Sequence, residues 1–257
     1  MTIKTRPIAF ASNSEDRGVC EAHDRFAKQN HHQGETIVCA VIGAYLERPT
    51  QQQIETLKRV FIESQIRGKH ACGYSFIRNK RIFTQVAPLP AEQFVQSHFA
   101  EIQPGDYTLQ LIGHARYSTS DLRYNQPLHI FNDLSIAHNG VIDQRSPVYW
   151  QEHGYELSTS NDSELVYQSR HAGNEPLIEF PEASMAVCEL SSETGLRFWR
   201  NGKRPLYKVK VNNGFYVMST ADIALRAGLK GAKRMVPGVV YTPSGDTKLT
   251  KVEELIP

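Results

Sequence analysis

The last third of the chain is a succession of short β-rich runs separated by turn signals, and this pattern constrains the fold more than any other feature. Residues 184–190 lead through Ser191-Ser192-Glu193-Thr194-Gly195 to residues 196–200. Asn201-Gly202 then leads to residues 206–211, and Asn213-Gly214 to residues 215–219. Asn-Gly between such runs predicts antiparallel hairpins. Upstream, residues 36–46 are β-branched and nearly all apolar, which predicts a buried strand. Thr50 is placed to cap a helix over residues 51–66. Ile54, Leu57, Val60, Phe61 and Ser64 share one face of that helix, and Gly68 ends it. Residues 73–78 and 81–86 predict a hairpin across Asn79-Lys80. Pro90 opens a short helix through Phe99, residues 108–113 and 134–138 predict two more strands, and residues 220–229 a last helix. Hairpin-paired strands with helices packed on them predict a layered α+β domain.

Composition bounds the function classes. The 257 residues suffice for one large domain, and 40% apolar with 22% charged residues is ordinary for a globular protein. A formal net charge of +2, with Lys and Arg scattered along the chain, points to no nucleic-acid partner. The longest apolar run, near residues 37–46, is too short to cross a bilayer, and the N-terminus lacks the succession of a signal peptide. Cys20, Cys39, Cys72 and Cys188 are widely spaced and form no disulfide framework, so a reducing, cytoplasmic location is expected. Cys20, His23, His31 and His32 match no tetrahedral zinc pattern, and neither a metal nor a cofactor is expected. Residues 1–35 are polar and unlike the rest; residues 1–38 are read as an N-terminal extension or propeptide, and residues 39–257 as the domain.

Four places carry candidate chemistry. Cys39 lies in the apolar run Thr36-Ile37-Val38-Cys39-Ala40-Val41-Ile42-Gly43. A thiolate attacks a carboxamide well but needs a base, and no base is adjacent in sequence. Removal of residues 1–38 would turn the α-amine of Cys39, with its pKa of about 7.7–8.0, into that base. Taken alone, Cys39 reads first as a small buried hydrophobe, the usual fate of a lone cysteine. Arg116, in Gly113-His114-Ala115-Arg116-Tyr117-Ser118-Thr119, offers a fork for a carboxylate, with Ser118 and Thr119 as hydroxyl donors; a surface ion pair is the ordinary alternative. Asn139-Gly140 ends a predicted strand. It offers an amide and a backbone N–H for an oxyanion hole, or else a plain type I′ turn. Asp162, in Ser160-Asn161-Asp162-Ser163-Glu164, offers a carboxylate for an ammonium group, or else a helix cap. Cys72 is a weaker rival nucleophile that reads as a packed strand residue.

In order along the chain, these signatures resemble the class II glutamine amidotransferases, the N-terminal-nucleophile glutaminase domains. Cys39-Ala40-Val41-Ile42-Gly43 looks like the family's Cys-Gly-Ile-x-Gly start. Arg67 to Gly73 is similar to its Arg-Gly-x-Asp-Ser-Ala-Gly segment. Gly113 to Thr119 matches its Gly-His-Thr-Arg-Trp/Tyr-Ala/Ser-Thr, and Asn125-Gln126-Pro127-Leu128 is similar to its Asn-Ala-His-Pro. Ala137-His138-Asn139-Gly140 matches its His-Asn-Gly, and Ser160 to Glu164 its Ser-x-Thr-Asp-Ser/Thr-Glu. Asn201 to Leu206, Ser219-Thr220-Ala221 and Val236-Pro237-Gly238 resemble later family strands, so the likeness covers residues 39 to about 245.

The resemblance implies a four-layer α/β/β/α sandwich of two antiparallel sheets. It implies Cys39 as nucleophile and, by its freed amine, as base, with Asn139 and Gly140 as the oxyanion hole. Arg116, helped by Thr119, would hold the carboxylate of L-glutamine or a γ-glutamyl compound; Asp162 would hold its amine, and Arg67 would support the site. Ammonia would go to a separate synthetase or transferase subunit, because no acceptor domain follows. Alternatives are a γ-glutamyl amide hydrolase, or an uncleaved, inactive member that binds amino acids or serves as a scaffold. Three departures stand out: Ala40 where the family has Gly, Lys69-His70 at the acidic position, and 38 residues ahead of Cys39.

Overall fold

The computed structural model describes residues 39–117 and 125–244. The 1–38 extension, its imagined metal ligands, Ser118 and Thr119 lie outside the described residues.

Ten strands and six α-helices follow in order: β1 (Ala40–Glu47), α1 (Gln51–Ser64), β2 (Ala71–Arg78), β3 (Arg81–Ala87), α2 (Ala91–His98), β4 (Thr108–Arg116), β5 (Leu134–Val141), α3 (Pro147–Glu152), α4 (Ser163–His171), α5 (Pro176–Glu179), β6 (Ser184–Ser191), β7 (Gly195–Arg200), β8 (Tyr207–Val211), β9 (Gly214–Met218), α6 (Ala221–Arg226) and β10 (Lys233–Arg234). A 3₁₀ turn (Phe99–Glu101) continues α2. The strands form a seven-stranded sheet, β10-β8-β9-β1-β4-β2-β3, and a three-stranded sheet, β5-β6-β7. Neighbouring strands are antiparallel throughout.

Strand side chains alternate between faces, and that alternation sets the layers. On β1, Ala40, Ile42, Ala44 and Leu46 pack with Ile54, Leu57, Val60 and Phe61 of α1, Phe94 of α2 and Ile223 of α6. Val41, with Ile112 of β4 and Val217 of β9, instead meets Ala137, Ala186, Cys188 and Phe198 of the smaller sheet. The outer face of that sheet, Ile136, Met185, Val187 and Trp199, is covered by Trp150, Leu165, Val166, Tyr167 and Leu177 of α3, α4 and α5. The result is helix on sheet on sheet on helix, the expected four-layer sandwich. The four apolar α1 side chains are fully buried, each worth about 1.5–3 kcal/mol. Thr50 and Gln53 close a reciprocal capping box at its start. Among the described residues no helix is long and apolar enough to cross a membrane.

Several boundaries differ from expectation. β4 runs on to Arg116 and β5 to Val141, so Asn139-Gly140 is not a turn: it pairs with Ala186 and Met185 inside the smaller sheet. Asn201-Gly202 is no hairpin either. Among the named strands β7 pairs with β6, its other side carrying a bridge from Phe198 to Tyr241, and β8 belongs to the larger sheet, so residues 201–206 cross between sheets. Asn201 spends its amide on tertiary bonds, accepting from Met185 N at 3.1 Å and donating to Ala183 O at 2.6 Å. The turns at Asn79-Lys80 and Asn212-Asn213 are true hairpins, with positive φ at Asn79, Lys80 and Asn213. The first and last helices end sooner than their apolar spacing suggests, at Ser64 and Arg226.

Candidate active site

Register brings the predicted residues to one end of the seam between the sheets. Ala40 pairs with Ala115, so Cys39 lies one step beyond, opposite Arg116. Arg116 shares its face of β4 with Ile112, and Asn139 its face of β5 with Ala137; both faces look into the inter-sheet layer. Cys39, Arg116, Gly140 and Asp162 line a cleft of about 300 Å³, together with Trp150 and Arg145. This is within the range of small-molecule sites.

Cys39 is half-buried. Its Sγ lies 3.7 Å from the Tyr117 carbonyl, and Arg67 Nε donates to the Cys39 carbonyl at 3.1 Å. Burial pushes the thiol pKa up, and the charges of Arg116 and Arg67 offset this in part. The next turn of β1 is tied across the sheet: Val41 N–H donates to the buried Ser219 hydroxyl at 2.8 Å. Ala40 in place of glycine is accommodated, because its methyl points into the helix-covered core. Cys72 and Cys188 are buried in the cores and burial raises both thiols, so neither rivals Cys39. His70, at the family's acidic position, stacks obliquely on Tyr117, with ring centroids 4.6 Å apart.

Arg116 is buried and donates from Nη1 to Asn125 Oδ1 at 3.0 Å. Gly68 lets the backbone behind it approach: a Cβ there would lie 2.3 Å from Ala115 O. Asn139 is 1% exposed, and neither its Oδ1 nor its Nδ2 has a partner among the described residues. At Gly140, φ is +156° and a Cβ would lie 1.8 Å from Ser184 O and 2.7 Å from His138 Nε2, so only glycine fits. β5 is an edge strand. Met185, opposite Gly140, exchanges its backbone bonds with Asn201. Even-numbered residues of β5 turn their own groups off the edge: Ile136 bonds Leu128, and His138 N–H donates to Gln126 Oε1 at 2.7 Å. By the same alternation the Gly140 N–H points off the sheet edge.

Asp162 precedes α4 but does not cap it with its side chain. Its Oδ2 accepts from Ile142 N at 2.7 Å, and Asn161 Oδ1 takes the Ser163 N–H at 3.1 Å instead. The alternative reading of Asp162 as a side-chain cap is therefore corrected.

Along one side of the cleft lies a largely buried polar layer that sequence reasoning missed; Gln126, His138 and Ser163 belong to the lining. His138 Nδ1 is 2.8 Å from Ser163 Oγ, and His138 Nε2 is 3.2 Å from Ser184 O. Gln126 Nε2 donates to Ser163 Oγ at 3.0 Å, and His114 Nε2 lies 3.2 Å from His138 O. His138, Gln126, Ser163 and His114 are all buried. Burial lowers the pKa of both histidines, that of His114 to about 3. Arg204 Nε donates to Ser184 Oγ at 3.1 Å from the other side. These contacts join residues 12 to 46 apart, and no local spacing announces them. The one signal was their place inside the quoted motifs.

Among the predicted residues, then, Cys39, Arg116, Gly140 and Asp162 share the cleft, and Asn139 is buried on the strand that lines it. Arg67 stands behind Cys39, and Thr119 is outside the described residues.

No family model and no curated protein matches the chain. Solved structures do. The chain is 20% identical, with a TM-score of 0.61, to the glutamine phosphoribosylpyrophosphate amidotransferase of B. subtilis complexed with ADP and GMP. The match covers 79% of this chain and 46% of that one. A structure of the allosteric regulatory enzyme of purine biosynthesis gives 19%, 0.62 and the same coverage. A glutamine aminotransferase class-II domain protein from silicibacter pomeroyi gives 12% and 0.51, over 82% of this chain and 99% of that one. The chain thus spans about half the length of the first two. At such identities the likeness shows the fold alone: the layered sandwich is one this chain shares with these amidotransferase structures.

Proposed function

We propose that this chain hydrolyses the side-chain amide of L-glutamine, or of a γ-glutamyl compound, with Cys39 as nucleophile after removal of residues 1–38. The observation that carries this reading is the convergence of Cys39, Arg116, Gly140 and Asp162 on one cleft, on a sandwich shared with glutamine amidotransferases.

The freed Cys39 amine takes the thiol proton, and the thiolate adds to the amide carbonyl carbon. The developing oxyanion accepts from Gly140 N–H and Asn139 Nδ2–H. The amine returns the proton to the leaving nitrogen, the C–N bond breaks and ammonia departs, leaving a γ-glutamyl thioester. Water, losing a proton to the same amine, adds to the thioester; collapse releases glutamate and restores the thiol. Arg116, with Thr119, holds the substrate carboxylate through its fork, and Asp162 the ammonium through Oδ1. Arg67 fixes the carbonyl of the nucleophile's own residue. The ammonia passes to a separate synthetase or transferase in the cytoplasm.

The test is intact mass and N-terminal sequence of the purified protein, wild type and Cys39→Ala, followed by ammonia release from glutamine. Loss of residues 1–38 only when Cys39 is present, together with ammonia release, is the expected result. A full-length chain that still releases ammonia would overturn the amine's role, and a chain cut at Cys39 that releases none would overturn the reaction.

A further inference from the structure

The buried polar layer that borders the cleft has a definite donor–acceptor direction. Ser184 O is a carbonyl and only accepts, so His138 Nε2 carries the proton. With the ring neutral, Nδ1 accepts, and the Ser163 hydroxyl donates to it. Ser163 Oγ in turn accepts from Gln126 Nε2, and the orientation of that amide is fixed because its Oε1 accepts from His138 N. His114 Nε2 donates to the His138 carbonyl. Every polar group of His138, side chain and backbone, therefore has a partner, in a site where an unmet one is costly.

The covalent neighbours of this layer are the functional groups. His138 immediately precedes Asn139-Gly140, and Ser163 immediately follows Asp162. A single 2.8 Å hydrogen bond thus joins the residue before the oxyanion donors to the residue after the carboxylate. The His138 ring also occupies the space a Cβ would need at Gly140, which leaves that backbone little room to swing. A second bond works in parallel, since Asp162 Oδ2 accepts from Ile142 N on the far side of Gly140.

We propose that His138, with its proton on Nε2, is a positioning residue that locks the Asn139-Gly140 donors and the Asp162 carboxylate into one rigid unit through Ser163. This rests on the function proposed above. His138 lines the same cleft, but its ring nitrogens are both engaged, by Ser163 Oγ and Ser184 O; its effect is geometric, and displacements near 1 Å at such donors cost about 10²-fold in rate.

The test uses the full chain in the form it takes when purified, wild type against Ser163→Ala, alone and combined with Asn139→Ala. Two quantities are read: kcat and KM for ammonia release from glutamine, and backbone amide exchange by mass spectrometry over residues 134–142 and 160–166. In Ser163→Ala, kcat falls about 10- to 100-fold. Exchange quickens about tenfold in both segments and is unchanged in the β8–β9 hairpin, a local opening rather than a global one. In the Asn139→Ala background the same substitution costs several-fold less in kcat than in wild type, because one of the positioned groups is gone while Gly140 and Asp162 remain. His138→Asn, whose amide oxygen can replace Nδ1 as acceptor, retains more kcat than His138→Leu. Fully additive losses, or exchange that stays at wild-type rates in either segment, would overturn the proposal. If wild type releases no ammonia, the proposed function fails, and the exchange comparison still decides whether the lock exists. Should Ser163→Ala not fold, His138→Asn against His138→Leu carries the same two readouts.

Discussion

Replacing Asn139 with alanine should move stability and activity in opposite directions. Its carboxamide is 1% exposed and neither polar atom has a partner among the described residues. A buried, unmatched polar group costs about 1–3 kcal/mol, so the two together cost roughly 2–6 kcal/mol in the resting protein. Alanine removes that cost and leaves a void of one or two water volumes, about 30–60 Å³. At roughly 24 cal/mol per Å³ the void costs about 1 kcal/mol. The balance is a gain of about 1 kcal/mol or more, seen as a Tm raised by about 2–4 °C per kcal/mol in a domain of this size. Catalysis should fall on the order of 10²–10³-fold in kcat, the loss of one oxyanion donor. Thermal unfolding followed by circular dichroism and a coupled assay of ammonia read the two effects on one preparation. A Tm lowered by 4 °C or more would show that the amide is a structural tie. A kcat within tenfold of wild type would show that it does not meet the oxyanion.

Other predictions follow from single distances. Gly140→Ala forces a methyl to 1.8 Å from Ser184 O; we expect a loss of about 1–3 kcal/mol of stability or more, together with activity, in urea unfolding and turnover. Burial raises the Cys39 pKa, so in the uncut chain the thiolate fraction at pH 7–8 lies below that of free cysteine. Alkylation by iodoacetamide should be slower than for a free thiol at neutral pH and climb about tenfold per pH unit; faster modification at pH 7 would contradict this. Arg67→Met removes the donor to the Cys39 carbonyl, and kcat should fall about 3- to 30-fold with little change in KM, as loss of positioning rather than of binding predicts. Glu189, 2% exposed at its side chain, bridges Arg170 at 2.9 Å and Arg197 at 3.2 Å. Glu189→Ala leaves both guanidiniums with the longer Glu175 pairings, at 3.9 and 3.7 Å, and should cost about 1.5–3 kcal/mol in denaturant unfolding.

Local chemistry was legible where it decides structure alone. The apolar period of α1, its capping threonine at 50, and the Asn79-Lys80 turn follow from neighbours within four residues, and each stands as expected. Asn201-Gly202 misled because the same dipeptide serves two ends. Its asparagine met Met185 and Ala183 across space, and pairing partners of a strand are chosen by the whole sandwich. Asn139-Gly140 misled in the other direction, since an off-edge N–H with positive φ also demands glycine, inside a strand. Cys39, Arg116 and Asp162 were legible as residue types. Their meeting was expected only from the family resemblance and not from local chemistry, because it depends on the β1–β4 register and on α4 docking under β5. The His138–Ser163–Gln126 layer was the least legible, since its members are linked only through the fold.

The alternation that sorts side chains between layers also restricts how this chain can change length. One residue inserted between Leu109 and Arg116 would turn Arg116 into the helix-covered core and Ala115 toward the cleft, as a one-step slip does in any strand. The same holds on β5, where a slip would exchange Asn139 for His138. The hairpin tips at residues 79–80, 192–194 and 212–213 escape this restriction and lie away from the cleft lining. Engineered tags, linkers or inserted domains belong at those tips, where they add chain without moving any functional side chain to the wrong face.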